Sequence, residues 1–226
     1  MYYGIDSGTS AFPTGARTKD FYIGRIGRDT TANLDFYNTT GANLATNKYG
    51  YWFLYGPTKD PNYSSNYTSI DAINWGASQA TQAMIQWNNI HTSYGLNKTI
   101  FADVEWDYST SNPSGARYNW LLNSENSNAH ILNFSVFQGF INYVNLATQY
   151  YYSGCYCSKG PWQAIMGTTN SPGYANTFWA AGSYTSSFDT PPTSMSGAPT
   201  INGATPTIWQ YYGGTKDADI ASNLPG

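Results

Sequence analysis

Hydrophobic residues along this chain fall into short runs separated by longer polar stretches. Apolar and aromatic runs of about four to eight residues, bounded by glycine, proline or asparagine, are typical of buried strands. Two longer stretches, 70–94 and 134–148, instead space their apolar residues three or four positions apart, which predicts amphipathic helices. The pattern predicts strands at 2–6, 20–27, 49–55, 99–105, 150–157, 177–184 and 206–212.

The order of these elements predicts the fold class. Strands that alternate with helices or long loops favour parallel β/α units. We therefore expect an α/β protein that forms a single TIM-like (β/α) barrel, irregular and with fewer helices than strands. No internal repeat or linker divides the sequence, so residues 1–226 are expected to form one domain. The polar stretches 107–133 and 185–205 are expected to be loops.

The fourth predicted strand carries two acids within an apolar run. Side chains two residues apart on a strand project to the same face, so Asp103 and Glu105 point the same way. Two neighbouring carboxyls drive their pKa values apart, which lets one site hold a proton donor beside an anion. The spacing leaves open which of the two acids holds the proton. The alternative is a strand end that simply reaches water.

Further acids lie at the carboxyl ends of other predicted strands. Asp6 ends the first strand, and Asp217 and Asp219 follow the last one. Parallel β/α barrels bind their ligands at the carboxyl ends of the strands. These acids are therefore expected to meet the two acids of the fourth strand at one rim of the barrel. Loops that carry charge by chance would explain the rim acids, but not those inside the strand.

Composition narrows the class of partner. Only 10% of the residues are charged and the net charge is −3, without a Lys/Arg cluster, so nucleic acid is not an expected partner. No apolar run is long enough to span a membrane. The 21 Tyr and 8 Trp, together with many amides, suit a groove for sugar rings, although aromatic residues also fill cores. His91 and His130 lack neighbours at metal-ligand spacing, so no metal site is expected.

A series of short motifs runs in one order along nearly the whole chain. The motifs are Gly4-Ile5-Asp6-Ser7, Gln79-Ala80, Asp103-Val104-Glu105, Gly154-Cys155-Tyr156-Cys157-Ser158, Phe178-Trp179-Ala180-Ala181-Gly182-Ser183-Tyr184, and Ile208-Trp209-Gln210-Tyr211 followed by Asp219. In this order they resemble glycoside hydrolase family 25 (GH25), the lysozyme-like muramidases.

The resemblance implies a β/α barrel that cleaves the β-1,4 bond between N-acetylmuramic acid and N-acetylglucosamine in peptidoglycan. It implies Glu105 as the general acid, and Asp103 as the carboxylate that stabilises positive charge or orients the N-acetyl group. With these roles we expect a raised pKa for Glu105 and an ionised Asp103. It also implies a secreted monomer without a metal or organic cofactor. The remaining pocket residues that it implies are Asp6 as a further catalytic carboxylate, and Tyr156, Trp179, Tyr184, Gln210 and Asp219 around the sugar.

The sequence also departs from the family pattern. Ser7-Gly8-Thr9-Ser10 replaces the usual continuation of the first motif, and Asp217 competes with Asp219 for one role. Trp106 is expected either to stack on a sugar or to pack in the core. The alternative function is a catalytically silent carbohydrate-binding or cell-surface barrel with a glycoside-hydrolase-like fold. A third reading keeps the chemistry but takes another N-acetylhexosamine polymer, such as chitin, as substrate.

Overall fold

The computed structural model describes residues 1–8, 20–28, 31–32, 37, 40–106, 118–147, 151–184, 187–213 and 217–226. The strands are β1 (Tyr2–Ser7), β2 (Phe21–Arg28), β3 (Thr31–Ala32), β4 (Asn47–Phe53), β5 (Leu96–Val104), β6 (Tyr152–Ser158), β7 (Thr177–Ala181), β8 (Ile208–Tyr212) and β9 (Ala218–Ala221). The helices are α1 (Thr40–Leu44), α2 (Ser69–Tyr94), α3 (Ala129–Leu146) and α4 (Lys159–Met166), with 3₁₀ turns at Pro57–Lys59 and Pro172–Tyr174.

The sheet closes on itself as a barrel. Its strand order is β1-β9-β8-β7-β6-β5-β4-β2, and a further pairing of β1 with β2 completes the ring. The ring strands pair in parallel except β9, which is antiparallel to both of its neighbours. The short β3 adds an antiparallel hairpin to β2. The predicted TIM-like barrel, irregular and with fewer helices than strands, is confirmed.

Aromatic rings fill the barrel at the amino ends of its strands. Phe21 on β2 and Phe101 on β5 are fully buried there. Gly4 and Gly154 face these rings, and a Cβ at either position would overlap them. Leu224 of the C-terminal tail packs against the same interior cluster. Because side chains fill this end, the free space in the barrel lies at the carboxyl ends of the strands.

The long helix α2 packs on the outside of the barrel through an unexpected residue. The spacing predicted Ile70 on the apolar face, but Ile70 is 70% exposed. Gln79 is buried instead, and it both accepts from the backbone N of Tyr55 (2.9 Å) and donates to its O (3.0 Å). These bonds satisfy the backbone N–H and C=O of Tyr55, where the chain leaves β4, and they offset the cost of burying an amide side chain. None of the described helices has the length and apolar character needed to cross a membrane.

Three element boundaries differ from the sequence prediction. Residues 129–133, expected in a loop, form the first turns of α3, because the buried Asn133 bonds the backbone of Leu121 and Ile165 rather than facing water. Strand β7 ends at Ala181 rather than at 184. The acids after the last predicted strand lie on or beside a further strand, β9, which was too short to show periodicity.

Candidate active site

A pocket of about 360 Å³ opens at the carboxyl ends of the barrel strands. Among the described residues, four carboxylates and one cation line it, together with aromatic rings and one amide. The lining residues are Asp6, Gly8, Arg25, Tyr51, Phe53, Asp103, Glu105, Tyr118, Tyr156, Trp179, Tyr184, Gln210, Gly213 and Asp217. The expected meeting of strand-end acids at one rim is therefore what the fold produces for Asp6, Asp103 and Glu105.

Strand register explains why three of these side chains are neighbours. Asp103 on β5 pairs with Tyr156 on β6, which in turn pairs with Trp179 on β7. The rings of Tyr156 and Trp179 lie 4.2 Å apart between centroids. Glu105 follows the end of β5 and is only half-buried, whereas Asp103 is 4% exposed. The two acids therefore lie at different depths in the same pocket.

A buried hydrogen-bond network holds the pocket floor. The Tyr156 hydroxyl donates to Gln210 Oε1 (2.9 Å), and Gln210 Nε2 donates to Asp6 Oδ2 (2.9 Å). Burial raises the pKa of Tyr156, so its hydroxyl keeps the proton that it donates. Trp179 Nε1 donates to Asp219 Oδ1 (2.8 Å). These hydrogen bonds connect side chains from five strands, β1, β6, β7, β8 and β9, which suits a site that must orient a substrate.

Asp6 and Asp219 are the two carboxyl acceptors of this network, and each acts on the pKa of the other. Burial, reinforced by the charges of Asp217 and Asp219, raises the pKa of Asp6 well above its ordinary value. Burial likewise raises the pKa of Asp219 to about 8. Both carboxyls therefore hold a proton more readily than an exposed aspartate does.

The surroundings of Asp103 disfavour the ionised form that the sequence analysis expects. Burial and then the charge of Glu105 raise the pKa of Asp103 well above its usual range, and the nearby Arg25 guanidinium only partly opposes them. The physical reason is depth, since a carboxylate out of water loses its hydration. Asp103 Oδ1 is buried and has no hydrogen-bond partner among the described protein atoms.

A segment of the polar stretch 107–133 contributes to the rim. Tyr118 and Asn119 both have positive φ (48° and 65°). Their carbonyl oxygens accept backbone hydrogen bonds from Gly56 (3.0 Å) and Thr58 (3.2 Å). This docking brings the Tyr118 ring to 4.3 Å from Phe53, between centroids. The described part of the stretch therefore forms one wall of the pocket and leaves the space between the carboxylates unfilled.

The second polar stretch lies elsewhere. Within the described residues of 187–205, Phe188 accepts a hydrogen bond from Tyr211 on its backbone O (3.0 Å), and Gly197 lies against Trp209. Both partners are on β8 and belong to the cluster between the barrel and its outer layer. This stretch thus packs outside the barrel, and none of its described residues lines the pocket.

One predicted pocket residue lies below the pocket rather than in its wall. Asp219 is 1% exposed and does not line the cavity, whereas its competitor Asp217 does. Tyr184 lines the rim and is 54% exposed. The other predicted residues, Asp6, Asp103, Glu105, Tyr156, Trp179 and Gln210, all line the pocket.

Sequence reasoning missed several lining residues. Tyr51 and Phe53 alternate with outward-facing residues on β4, so their shared face with Tyr49 was a usable signal. Arg25 was not missed: it follows the same period on β2, and its sequence position predicted either a strand-end residue that balances the acids or a structural ion pair. Tyr118 carried no signal, because nothing local marks which residue of a long loop will dock on a rim.

No group of three or more potential metal-ligating side chains occurs among the described residues. His91 stacks on Trp87 with the ring centroids 4.3 Å apart. His130, near the start of α3, has its Nδ1 at 3.2 Å from Asn123 Nδ2. Cys155 and Cys157 are free and buried.

Comparison with known proteins rests on fold. Neither a protein-family model nor a curated protein matches the sequence. Among solved structures, the muramidase from Trichobolus zukalii matches over 99% of this chain and 95% of its own, with a TM-score of 0.58 and 18% identity. The family GH25 lysozyme from Aspergillus fumigatus matches 99% and 94% of the two chains, with a TM-score of 0.60 and 19% identity. The chain has the fold of the GH25 lysozymes.

The GH25 fold extends to a bacterial protein. The bacterial lysozyme from Streptomyces coelicolor matches over 98% of this chain and 92% of its own, with a TM-score of 0.58 and 19% identity. The resemblance drawn from the motifs is thus confirmed for the architecture. At this level of identity a shared fold does not transfer residue roles, so the roles must be argued from this chain's own pocket.

Proposed function

We propose that this protein is a peptidoglycan hydrolase, an N-acetylmuramidase that cleaves the β-1,4 bond between N-acetylmuramic acid and N-acetylglucosamine. The observation that carries the proposal is the pair Asp103 and Glu105 at the end of β5, which faces an open pocket walled by aromatic rings and the amide of Gln210. Glycoside hydrolysis needs one proton donor and one further carboxylate on either side of the reacting carbon. The GH25 fold supports the substrate class.

Glu105 is the general acid in this proposal. It is the less buried of the two acids, so its carboxyl can reach the bridging oxygen of a polysaccharide that enters from solvent. Protonating that oxygen turns the second sugar into a neutral leaving group. The bond between the anomeric carbon and the oxygen then breaks, and positive charge develops on the sugar left in the pocket.

Asp103 is the stabilising carboxylate. Burial raises its pKa and so favours its protonated form. Positive charge that develops on the sugar favours the anionic form of Asp103, so this carboxylate stabilises the sugar most strongly as the bond breaks. Its buried Oδ1 is available to orient the N-acetyl group of the substrate.

The pocket floor binds the sugar that keeps the anomeric carbon. Tyr156 and Trp179 present aromatic faces, and Gln210 and Asp6 present polar atoms beside them. Asp219 acts from below by holding Trp179. We further propose that the protein acts as a secreted monomer on the cell wall, since its substrate lies there.

Release of reducing ends from purified peptidoglycan tests the proposal. Glu105→Gln keeps the size of the side chain but cannot donate the proton, so we expect a fall in kcat of roughly 100-fold or more. The matched control is Glu125→Gln, which changes the only other glutamate of the chain, an exposed residue outside the pocket. Borohydride reduction of the products identifies the sugar at each new end.

The outcomes separate the candidate functions. Reduced muramic acid from the unmodified protein and from Glu125→Gln, but not from Glu105→Gln, supports the muramidase. Reduced glucosamine as the new end would overturn the assigned bond. No release from the unmodified protein, with sedimentation showing that it still binds the wall, would favour the silent binding barrel.

A further inference from the structure

Two more cavities continue from the candidate active site along the rim. One of about 250 Å³ is lined by Glu105, Trp106, Tyr118, Ser158 and Pro161. The next, of about 300 Å³, is lined by Trp106, Gly160, Pro161 and Ala164. We call this surface the Trp106 groove: Trp106, Tyr118, Ser158, Gly160, Pro161 and Ala164.

The Trp106 groove is continuous with the carboxylate pocket. Glu105 and Tyr118 line both the pocket and the nearer cavity, and Trp106 and Pro161 line both cavities of the groove. Glu105 therefore stands on the boundary between two binding spaces. On one side are the other carboxylates, and on the other side is a surface formed where β5 ends and α4 begins.

The two spaces differ in chemistry. The carboxylate pocket is lined by four acids and one cation. Beyond Glu105, the described walls of the groove are uncharged, with two aromatic rings, a proline, an alanine and the Ser158 hydroxyl. Such a surface suits the C–H face of a pyranose ring and an acetyl methyl group, with few polar groups to orient them.

We propose that the Trp106 groove binds the leaving-group sugar, N-acetylglucosamine, with its ring stacked on Trp106. This inference rests on the proposed function. A general acid protonates the oxygen that joins two sugars, so the sugars must lie on opposite sides of Glu105. The carboxylate pocket takes the sugar that develops positive charge, and the neutral groove takes the other.

Gly160 offers a way to close the groove without disturbing the fold. It is exposed near the start of α4, and a Cβ at this position meets nothing within 4 Å. Gly160→Phe therefore places an aromatic ring in the space that the sugar would use. Thr168→Phe is the matched control, because Thr168 is exposed just beyond the other end of α4 and outside the groove.

The test compares a polymer with a substrate that has no second sugar. Glycosyl fluorides place only a fluorine atom on the leaving side, so they do not use the groove. For Gly160→Phe, we expect kcat/KM on peptidoglycan to fall by roughly 10- to 100-fold more than kcat/KM on a muramyl fluoride. Thr168→Phe should show no difference between the substrates. Trp106→Ala should show a smaller difference of the same sign as Gly160→Phe.

Equal falls on both substrates, or no fall on either, would overturn the groove assignment. If the unmodified protein hydrolyses neither substrate, the proposed function fails. A binding measurement then tests, without any catalysis, whether the groove holds a sugar. The binding measurement is a calorimetric titration of Glu105→Gln. Its two ligands are a wall tetrasaccharide and the disaccharide that ends in muramic acid. Tighter binding of the tetrasaccharide that is lost when Gly160→Phe is added supports the groove, and equal binding of the two sugars overturns it.

Discussion

A single cation moderates the charge of a pocket rich in carboxylates. Arg25 projects from β2 into the same space as Asp103, and its charge lowers the pKa of that carboxyl while burial and Glu105 raise it. Arg25 Nε is buried and has no hydrogen-bond partner among the described protein atoms. A guanidinium is the suitable group for this position, because it stays charged even when partly buried.

Arg25→Met tests whether this cation sets the working pH. Removing the positive charge leaves burial and Glu105 unopposed, so the pKa of Asp103 rises further. If Asp103 must be an anion at the transition state, the acidic limb of the kcat/KM profile moves to higher pH. Arg25→Lys keeps the charge and should move the limb less. If the acidic limb stays in place in Arg25→Met, the ionisation that this limb reports is not that of Asp103.

At the scale of elements, the pocket wall depends on a docked loop. The carbonyl oxygens of Tyr118 and Asn119 accept hydrogen bonds from Gly56 and Thr58 in the turn after β4. Gln79 of α2 holds the start of the same turn through the backbone of Tyr55. Two consecutive residues of the loop, Tyr118 and Asn119, are held at positive φ, which costs free energy in non-glycine residues. The contacts to the turn offset this cost and keep Tyr118 in the wall.

Gly56→Ala is expected to displace this wall. A Cβ at Gly56 would overlap the backbone of Asn119 and Trp120, so the loop must move. We expect a loss of about 1–3 kcal/mol in the free energy of unfolding and a higher KM for peptidoglycan. Thr58→Val removes only the hydroxyl donor to Asn119 O (3.0 Å) and should give a smaller change in the same direction. Unchanged melting temperature and KM in Gly56→Ala would contradict the docking argument.

At the scale of the whole molecule, barrel closure and the site depend on the same strand. β9 completes the ring between β8 and β1, and its register sets Asp219 against Gln210 on one side and Gly4 on the other. Closure therefore buries Asp219 beneath the pocket, where Trp179 donates a hydrogen bond to it. The cost of burying carboxyls there should appear as a dependence of stability on pH.

We expect the free energy of unfolding to fall as the pH rises from about 4 to about 8. The folded pKa of Asp219, about 8, lies above its unfolded value, so its contribution is fully present at low pH and is lost as the pH rises through the folded pKa. The raised pKa values of Asp6 and Asp103 act in the same direction.

Asp219→Asn should flatten this slope, because an amide does not titrate and still offers an oxygen acceptor to Trp179. Asp189→Asn, at an exposed aspartate outside the pocket, is the control. Calorimetric melting across the pH range measures both variants. Equal slopes in Asp219→Asn and in the unmodified protein would refute the assignment.

Local patterning was sufficient to predict the barrel and the carboxyls that meet at its rim. Strand periodicity is a property of neighbouring residues, so the shared face of Asp103 and Glu105 could be read directly. The carboxyl-end rule then brought Asp6 to the same rim. The ordered motifs added Tyr156 and Gln210, which pair across strands far apart in the chain.

Depth and docking could not be predicted in this way. Whether Asp103 is ionised depends on how far water reaches, and the position of Asp219 under the floor depends on the closure of β9 against β1. Tyr118 reaches the wall through bonds to a turn about 60 residues earlier in the chain. Each of these features depends on contacts between segments that are distant in sequence, and no short stretch of the chain contains both partners.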